Sequence, residues 1–363
     1  MAEPLRIVSL KTRGFRNLAD AEFEPGPRFN VISGDNAEGK SNLLEAVDYL
    51  ASLRSFRAAL PKDMIRRDAA EAEISGIVHG ESVPRRFLLR LRREGGRDLQ
   101  VDGKRPRTRA QYLIAIQTVL FHPGDLELVV GDKERRRAFI DRILEHFDAT
   151  YVSSLAVYER ALRSRNSLLR AESPNRRALA AYHELLASSG AIVGQSRARL
   201  IGELAPLALD AFHAISGEPG TLDIRYEPRV TPEVPAIMAA LEASIDKDIA
   251  RGFTAEGPHA DEIALSIDGV AAKRYGSQGQ HRAIVLALKV AELHQLSRRV
   301  GRVPMLLLDD VSSELDRTRN RRFFALLAEL GGQVFLTTTQ PELILLDRDR
   351  TDFVVRSGVI GTR

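Results

Sequence analysis

The chain contains no cysteine and no tryptophan, and aromatic residues make up only 6% of its 363 residues. Without cysteine it cannot form disulfides, bind a metal through thiolates or use a cysteine nucleophile, and this composition suits a cytoplasmic protein. No apolar run reaches the about 20 residues that a membrane-spanning helix needs, and the N-terminus lacks a charged-then-apolar signal pattern. We therefore expect a cytoplasmic protein without a membrane anchor.

Neither sign of charge dominates, since 53 lysines and arginines stand against 49 acidic residues and the net charge is +4. This balance is compatible with a nucleic-acid partner but does not establish one. The distribution of the charges therefore matters more than their sum. The length allows two domains, or one domain that carries a large insertion.

A glycine-rich loop at residues 34–41 is the strongest signal in the sequence. It reads G-D-N-A-E-G-K-S and fits the spacing of a phosphate-binding loop. The β-branched segment Arg28–Ser33 before it predicts a buried strand, and the apolar spacing of Asn42–Leu53 after it predicts a helix. The alternative is a chance glycine turn before a helix.

The chemistry of this loop points to a nucleotide, because the N–H groups of a glycine-rich turn and of a helix N-terminus converge on phosphate oxygens. Lys40 is expected to reach the β- and γ-phosphates, and the Ser41 hydroxyl is expected to bind Mg²⁺. An arginine of the run Leu53–Arg57, one helix away, either leans back onto the nucleotide or onto DNA or is a surface arginine. The predicted ATP contacts are Gly34, Asp35, Asn36, Ala37, Glu38, Gly39, Lys40 and Ser41.

Two adjacent acids follow an apolar segment near the C-terminus. Met305–Leu308 predicts a buried parallel strand that delivers Asp309 and Asp310 at its carboxyl end, where a Walker B site belongs. We expect Asp309 to hold Mg²⁺ through water and Asp310 to orient or deprotonate the attacking water. The predicted catalytic residues are thus Lys40, Asp309 and Asp310, and the predicted metal ligands are Ser41 and Asp309. The alternative is an acid that only caps a helix.

The rest of the chain changes character along its length. Residues 5–32 predict two or three strands in a meander, and residues 150–212 predict helices with a leucine or valine every seven residues from Leu179 to Leu207. That spacing fits either a hairpin arm or a packed helical subdomain.

Residues 72–120 predict a small antiparallel sheet whose basic residues are either a DNA-phosphate contact surface or a solvated face. These residues are Arg85, Arg86, Arg90, Arg92, Arg93, Arg97, Lys104, Arg105, Arg107 and Arg109.

The segment Ser277–Gln280 precedes another clear helix. Small residues at a second helix N-terminus suit a phosphate, and one nucleotide has little use for two such ends. We therefore interpret this turn as facing the nucleotide of a partner molecule.

Together these motifs resemble the ABC and SMC-type ATPase heads, and among them the RecF family of bacterial recombination and repair proteins. The middle helices match only in position and length. The residues that carry the resemblance are Phe15–Asn17, Gly34–Ser41, Leu44–Ala46, Ser55–Arg57, Pro123–Leu126, Arg135–Arg137, Gly257–His259, Ser277–Gln280, Leu308–Val311 and Ser313–Asp316.

The resemblance implies an α/β fold: an ABC-type P-loop ATPase head, with a mixed sheet and an antiparallel β-subdomain, and an inserted helical arm. The head would comprise residues 1–132 and 256–363, and the arm residues 133–255. Two copies would sandwich two ATP molecules with Mg²⁺, each held by the Walker motifs of one copy and by Ser277, Gly279 and Gln280 of the other. Family members bind double-stranded DNA and single-strand/duplex junctions, and they hydrolyse ATP slowly with stimulation by DNA. They help load RecA together with RecO and RecR, which links them to the SOS response.

Some positions depart from the family pattern. Ala37 replaces a usual glycine, which is tolerable only if its φ is negative. Ala260 stands where a basic residue is common. The Q-loop glutamine has no obvious counterpart, although His122 occupies that region, and Thr338 or Thr339 stands where transporters have a switch histidine.

Three other functions stay open at this point. A transporter ATPase subunit would not bind DNA, and the long insertion, the missing switch histidine and the basic sheet argue against it. An SMC-like structural protein has far longer arms than the about 50 Å available here. A nucleotide-gated scaffold for RecR-like partners would dimerise with ATP without turning it over.

Overall fold

The structure is a computed structural model that describes residues 4–57, 60–80, 83–217, 220–311, 315–346 and 348–363. Its strands are β1 (Arg6–Arg13), β2 (Ala21–Phe23), β3 (Phe29–Ser33), β4 (Glu71–His79), β5 (Arg85–Arg92), β6 (Arg97–Val101), β7 (Thr118–Phe121), β8 (Leu222–Glu227), β9 (Glu262–Ile267), β10 (Val270–Ala271), β11 (Met305–Asp309), β12 (Val334–Thr338), β13 (Arg350–Arg356) and β14 (Val359–Thr362). Its α-helices are α1 (Lys40–Ser52), α2 (Arg109–Ala115), α3 (Glu127–Val130), α4 (Lys133–Glu145), α5 (Ala149–Leu169), α6 (Arg176–Ala180), α7 (His183–Ser216), α8 (Val234–Ala243), α9 (Ile245–Arg251), α10 (Ala272–Tyr275), α11 (Gln278–Val300) and α12 (Arg317–Glu329).

The chain divides into two compact units. The first comprises residues 1–126, 210–218 and 278–363, and the second comprises residues 127–209 and 219–277. These bounds differ from the three predicted segments, because β9 pairs antiparallel with β8 and thereby joins residues beyond 256 to the second unit. None of the described helices combines the length and apolar character needed to cross a bilayer.

A mixed sheet forms the centre of the first unit, with strand order β14-β13-β3-β12-β11-β7. The five strands from β13 to β7 run parallel, and β14 is an antiparallel edge strand. All residues of β3, β11 and β12 are buried, as expected for parallel strands that are covered on both faces. The two strands predicted from the phosphate loop and from the acidic pair are therefore confirmed, with β12 between them.

The meander of two or three strands predicted over residues 5–32 is confirmed for two strands, β1 and β2, and does not extend to β3. β1 pairs with β2 and β4 in a separate antiparallel sheet of order β2-β1-β4-β5-β6, whereas β3 lies in the parallel sheet. The physical reason is burial. β4 buries alternate residues and can face solvent on one side, but β3 is buried throughout and needs cover on both faces.

Helix α1 contacts strands of both sheets, β11 and β12 on one side and β4 and β5 on the other. For that reason it is buried on nearly all sides, including two acids in its middle. Glu45 is paired with Arg16, and Asp48 accepts a hydrogen bond of 2.8 Å from the Thr118 hydroxyl. Buried charges require such partners, so α1 is fixed in place by polar contacts as well as by packing.

Helices α5, α7 and α8 form the core of the second unit. Tyr158 and Ala161 of α5 pack with Leu186 and Ala191 of α7, together with residues of α8. Of the five heptad positions, Leu179, Leu186, Val193 and Leu200 are buried and Leu207 is partly buried. The helices of this region therefore pack against one another within the second unit. The longest helix, α7, has 34 residues and therefore extends about 50 Å.

The run Gly257–His259 lies within the second unit, where the partly buried His259 ring holds it through two hydrogen bonds. The His259 Nε2 atom lies 2.9 Å from the Thr254 carbonyl oxygen, which can only accept, so Nε2 carries the proton. The Nδ1 atom consequently accepts the hydrogen bond of 2.6 Å from the Tyr158 hydroxyl. Burial lowers the pKa of His259, which keeps the ring neutral in this arrangement.

This arrangement predicts acid sensitivity. Because the folded pKa of His259 is depressed, the unfolded chain takes up a proton below about pH 6.5 that the folded chain does not, so stability falls as the pH drops below that value. We expect His259→Gln to reduce the fall in thermal midpoint between pH 7.5 and pH 5.5, measured by circular dichroism. An equal fall in the variant and the wild type would contradict this account.

Candidate active site

The predicted acidic pair and the glycine loop meet at one edge of the parallel sheet. In the ladder, Asp309 at the end of β11 is level with Thr337 of β12, and Thr338 is level with Ser33 at the end of β3. Carboxyl ends of parallel strands lie at the same edge, where ligands of such sheets bind. The glycine loop, which begins at Gly34, therefore starts beside the strand tips that carry the acids.

A cavity of about 160 Å³ opens at this edge. The loop, the start of α1, the acidic tip and the end of β12 all contribute to its wall. It is lined by Asn36, Ala37, Gly39, Lys40, Ser41, Asn42, Arg57, Asp310, Thr337 and Thr339. Five of the eight predicted loop residues thus face the cavity.

The remaining three loop residues shape the loop instead. The backbone carbonyls of Gly34 and Asp35 accept hydrogen bonds from the Lys40 ammonium group at 2.8 and 2.7 Å. Glu38 accepts hydrogen bonds from the backbone N–H groups of Ser357 and Gly358, with its carboxylate and its carbonyl respectively. These contacts tie the loop to the turn between β13 and β14.

The Lys40 side chain is buried at the floor of the cavity. Burial lowers the pKa of Lys40, while the carboxylates of Asp310 and Asp309 oppose that shift. An ammonium group that is held by carbonyl oxygens in a partly desolvated loop is poised to exchange them for phosphate oxygens.

The loop backbone has a positive φ at three positions, Gly34, Ala37 and Gly39. Gly39 has φ 115° and precedes α1 directly, with the Asn17 side chain 2.9 Å from where a Cβ would lie. Ala37 has φ 68°, although its methyl group disfavours that conformation. The condition for tolerating alanine at this position, a negative φ, is not met, so Ala37 is strained.

One threonine hydroxyl connects the acidic pair to the neighbouring strand. The Thr337 hydroxyl donates to the Asp309 carboxylate at 2.7 Å and accepts from the Asp310 backbone N–H at 3.1 Å. Asp310 has φ 51°, and a non-glycine residue held in this region is typical of functional sites. The hydroxyl thereby fixes both the carboxylate of Asp309 and the backbone turn that aims Asp310 at the cavity.

Three short runs named in the sequence analysis meet behind the loop. Arg16 makes a bidentate pair with the buried Glu45 at 2.8 and 2.9 Å, and the Ser55 hydroxyl donates to the same carboxylate at 2.5 Å. Asn17 accepts a hydrogen bond of 2.6 Å from Asn42 and donates one of 3.2 Å to the Ala37 carbonyl. These contacts brace the loop and the start of α1.

Arg57 lines the cavity, and its side chain is also exposed at the surface. Its guanidinium group donates to the Asn42 side chain at 2.6 Å and lies over the Phe56 ring, 5.6 Å from the centroid. Asn42 and Thr337 are lining residues that the sequence analysis did not select. Asn42 could have been suspected from its position one residue after Ser41, at the N-terminal end of α1.

Two further candidates are now distinguished. Thr339 lines the cavity, whereas the Thr338 hydroxyl accepts a hydrogen bond from the Gln340 backbone N–H at 2.9 Å.

His122 is not among the described residues that line the cavity. Its ring centroid lies 5.1 Å from that of Phe56, and its backbone N–H donates to the Asp125 carboxylate.

The turn predicted to serve a partner's nucleotide lies at the start of α11. Gly279 and Gln280 are in the first turn of that helix and are not among the described residues that line the cavity. Ser277 directly precedes the helix in the chain. Ser313 and Glu314, from the run after the acidic pair, lie outside the described residues.

Comparison with known proteins identifies the family. The profile of the RecF/RecN/SMC N-terminal domain matches residues 6–355. The protein named DNA replication and repair protein RecF from Anaeromyxobacter sp. strain Fw109-5 is 41% identical over 98% of this chain and 99% of its own length. The chain belongs to the RecF family. A RecF from Myxococcus xanthus is 36% identical over 94% of this chain and 92% of its own length.

Solved structures agree with this family membership. A RecF–ATP structure, described as a recombination mediator protein of the RecFOR pathway, matches with a TM-score of 0.91 and 28% identity over 100% of this chain and 99% of its own. An Smc head domain from Pyrococcus furiosus matches with a TM-score of 0.59 and 17% identity over 99% and 96% of the two chains, which supports the fold alone. The predicted ABC-type ATPase head is therefore confirmed.

The basic sheet of this RecF-family chain is less positive than its sequence implies. Arg90 is paired with Glu73 at 2.6 Å and Arg85 with Asp102 at 3.1 Å. Arg93 and Arg97 donate to backbone carbonyl groups. The basic residues that are exposed and make no such contact in the described structure are Arg86, Arg92, Lys104, Arg105 and Arg107. Part of the run is thus the solvated, ion-paired face of a sheet.

The strain at Ala37 predicts a stabilising substitution. Ala37→Gly should raise the free energy of unfolding by about 0.5 kcal/mol, because relief of the left-handed strain exceeds the extra entropy of the unfolded chain. Chemical denaturation measures this difference. The matched control is Ala156→Gly on the exposed side of α5, which should lower stability by about 1 kcal/mol. Equal destabilisation by both changes would contradict the strain at Ala37.

Proposed function

We propose that this protein is an ATP-dependent DNA-binding protein of recombinational repair. In this proposal ATP drives two copies together, and the dimer binds duplex DNA and single-strand/duplex junctions and hydrolyses ATP slowly, with stimulation by DNA. The names of the relatives support a role in DNA replication and repair, and the solved RecF–ATP structure supports the choice of nucleotide.

The observation that carries the proposal is the shared sheet edge. The loop with Lys40 and Ser41 and the strand tip with Asp310 contribute to a single cavity, although they are about 270 residues apart in the chain. This combination of a phosphate loop with a strand-end acid is what phosphoryl transfer from a nucleoside triphosphate requires.

The roles proposed for the residues follow from their chemistry. Lys40 and the loop N–H groups bind the β- and γ-phosphates, and Arg57 adds a second positive charge on the open side of the cavity. Asp310 orients the attacking water and accepts its proton. The Ser41 hydroxyl and the Asp309 carboxylate are the hard oxygen ligands that suit Mg²⁺. Mg²⁺, when bound, offsets the negative charge of the triphosphate.

A second copy completes the proposed site. Ser277, Gly279 and Gln280 of one copy would contact the nucleotide held by the Walker motifs of the other, through the N-terminal end of α11. The family resemblance supports this assignment. We further propose that the dimer acts with RecO and RecR in RecA loading during the SOS response, in the cytoplasm; the RecFOR pathway named for the solved RecF supports this.

A nucleotide-gated scaffold, or another ABC-type ATPase that does not act on DNA, is the alternative. The ion pairing that neutralises part of the basic sheet favours this alternative over a protein that grips DNA with the whole sheet. Steady-state phosphate release with and without duplex DNA separates the two functions. The scaffold would form dimers with ATP but release no phosphate.

Asp310→Asn should separate nucleotide binding from hydrolysis. The amide cannot accept the proton of the attacking water, so we expect turnover to fall at least about 100-fold while ATP still binds and dimers accumulate. Sedimentation velocity with Mg²⁺ and ATP measures the dimers. Lys40→Ala is the comparison variant, and it should stay monomeric because the phosphates lose their main cation.

The proposal fails if the wild-type protein remains monomeric with saturating ATP and duplex DNA. It also fails if Lys40→Ala binds DNA in an ATP-stimulated manner like the wild type. If Asp310→Asn bound ATP but stayed monomeric, only the role given to Asp310 would be refuted.

DNA contacts by the exposed basic residues predict a particular salt dependence. Replacing Arg105 and Arg107 by alanine should weaken duplex binding in the ATP state and make the slope of log K against log salt about 2 units shallower, since each contact releases about one counterion. Fluorescence anisotropy across a salt series measures this slope. Arg90→Ala, whose guanidinium group is already paired with Glu73, is the matched control and should leave the slope unchanged. If the wild type, the double variant and Arg90→Ala all had the same slope, this surface would be excluded as a DNA contact.

A further inference from the structure

The first turn of α12 packs directly against the first turn of α11. If Gly279 carried a Cβ atom, that atom would lie 2.2 Å from Nη1 of Arg319, 3.2 Å from its Cζ and 3.4 Å from its Nη2. The Nη1 end of the guanidinium group therefore points at the Gly279 backbone and fills the space where a side chain would lie. This contact joins the helix that follows the acidic pair to the turn that is proposed to reach a partner's nucleotide.

The start of its own helix holds Arg319 in place. One oxygen of the Asp316 carboxylate accepts the backbone N–H groups of Thr318 and Arg319, both at 2.9 Å, and so caps α12. The other oxygen lies 3.4 Å from Nη1 of Arg319. The hydrogen bonds from the backbone N–H groups lower the pKa of Asp316, which stays ionised beside the guanidinium group. The Arg319 side chain is only 19% exposed.

A side chain at position 279 would displace the Arg319 guanidinium group. Gly279 is not among the described residues with a left-handed φ, so its backbone conformation is open to any residue. Glycine is also a poor helix former, and alanine would favour α11. A methyl group at position 279 would take the place of the Arg319 Nη1 atom, so the guanidinium group can hold its position only beside a glycine.

We propose that Arg319 is a positioning residue for the contact between two copies of this chain. It holds the first turn of α11 so that Gly279 and Gln280 present their backbone to the nucleotide of the second copy. Helix α12 follows the acidic pair in the chain, and Asp316 caps its first turn. The capped start of α12 fixes Arg319, and Arg319 in turn holds the first turn of α11. This inference rests on the proposed ATP-driven dimer.

A double-mutant cycle with Arg319→Ala and Gly279→Ala tests this assignment. Each single substitution should weaken ATP-driven dimerisation about tenfold, and the two effects should not add, because residues in contact are coupled. In Arg319→Ala the space beside residue 279 is free, so adding Gly279→Ala should cause no further loss. Sedimentation velocity across a protein concentration series with Mg²⁺ and ATP measures dimerisation. Binding of a fluorescent ATP analogue to the monomer should stay at the wild-type value in all three variants.

The matched control is Arg321→Ala, which removes the same charge from an exposed position of α12 and should dimerise like the wild type. Thermal midpoints of all variants establish that they are folded. Wild-type dimerisation of Arg319→Ala, or losses that add fully in the double variant, would overturn the inference while leaving the proposed function intact. A wild-type protein that does not dimerise with ATP would instead refute the proposed function.

Discussion

The parallel register of β3, β12 and β11 is the constraint on which the site depends. Backbone hydrogen bonds place Asp309 level with Thr337, and Thr338 level with Ser33, so three strands end together. These strands are wholly buried and therefore cannot slip without breaking the core on both faces. The glycine loop and the acidic tip are brought together by this ladder, not by direct contact between the side chains of Lys40 and Asp310.

Buried polar groups stabilise this geometry where packing alone would not determine it. Glu45 and Asp48 are fully buried in α1, and each is satisfied by partners from other elements, Arg16 and Thr118 among them. An unpaired charge there would be costly, so the helix has one acceptable position between its two sheets. The Thr337 hydroxyl acts in the same way at the strand tips, because it satisfies Asp309 and the backbone of the next residue together.

Left-handed backbone and close contact are among the features of the site. Ala37 and Asp310 hold left-handed backbone conformations at the cavity, and the Arg319 guanidinium group occupies the space that a side chain at Gly279 would need. Such features cost stability and persist only where the surroundings enforce them. In this chain the enforcing groups are the Asn17 contacts to the loop, the Thr337 hydroxyl and the Asp316 carboxylate.

The sequence by itself determined the phosphate loop and the acidic strand end, because local spacing and apolar periodicity encode them. It missed helix α2 (Arg109–Ala115), which lies within the antiparallel sheet predicted over residues 72–120. The family followed from the same motifs, and the relatives confirm it. Only the tertiary structure decided which sheet received β3, which basic residues were already paired with acids, and that Ala37 is strained and Arg57 faces the cavity. These outcomes depend on contacts between residues distant in the chain and on backbone angles, and neither leaves a periodic trace in the sequence.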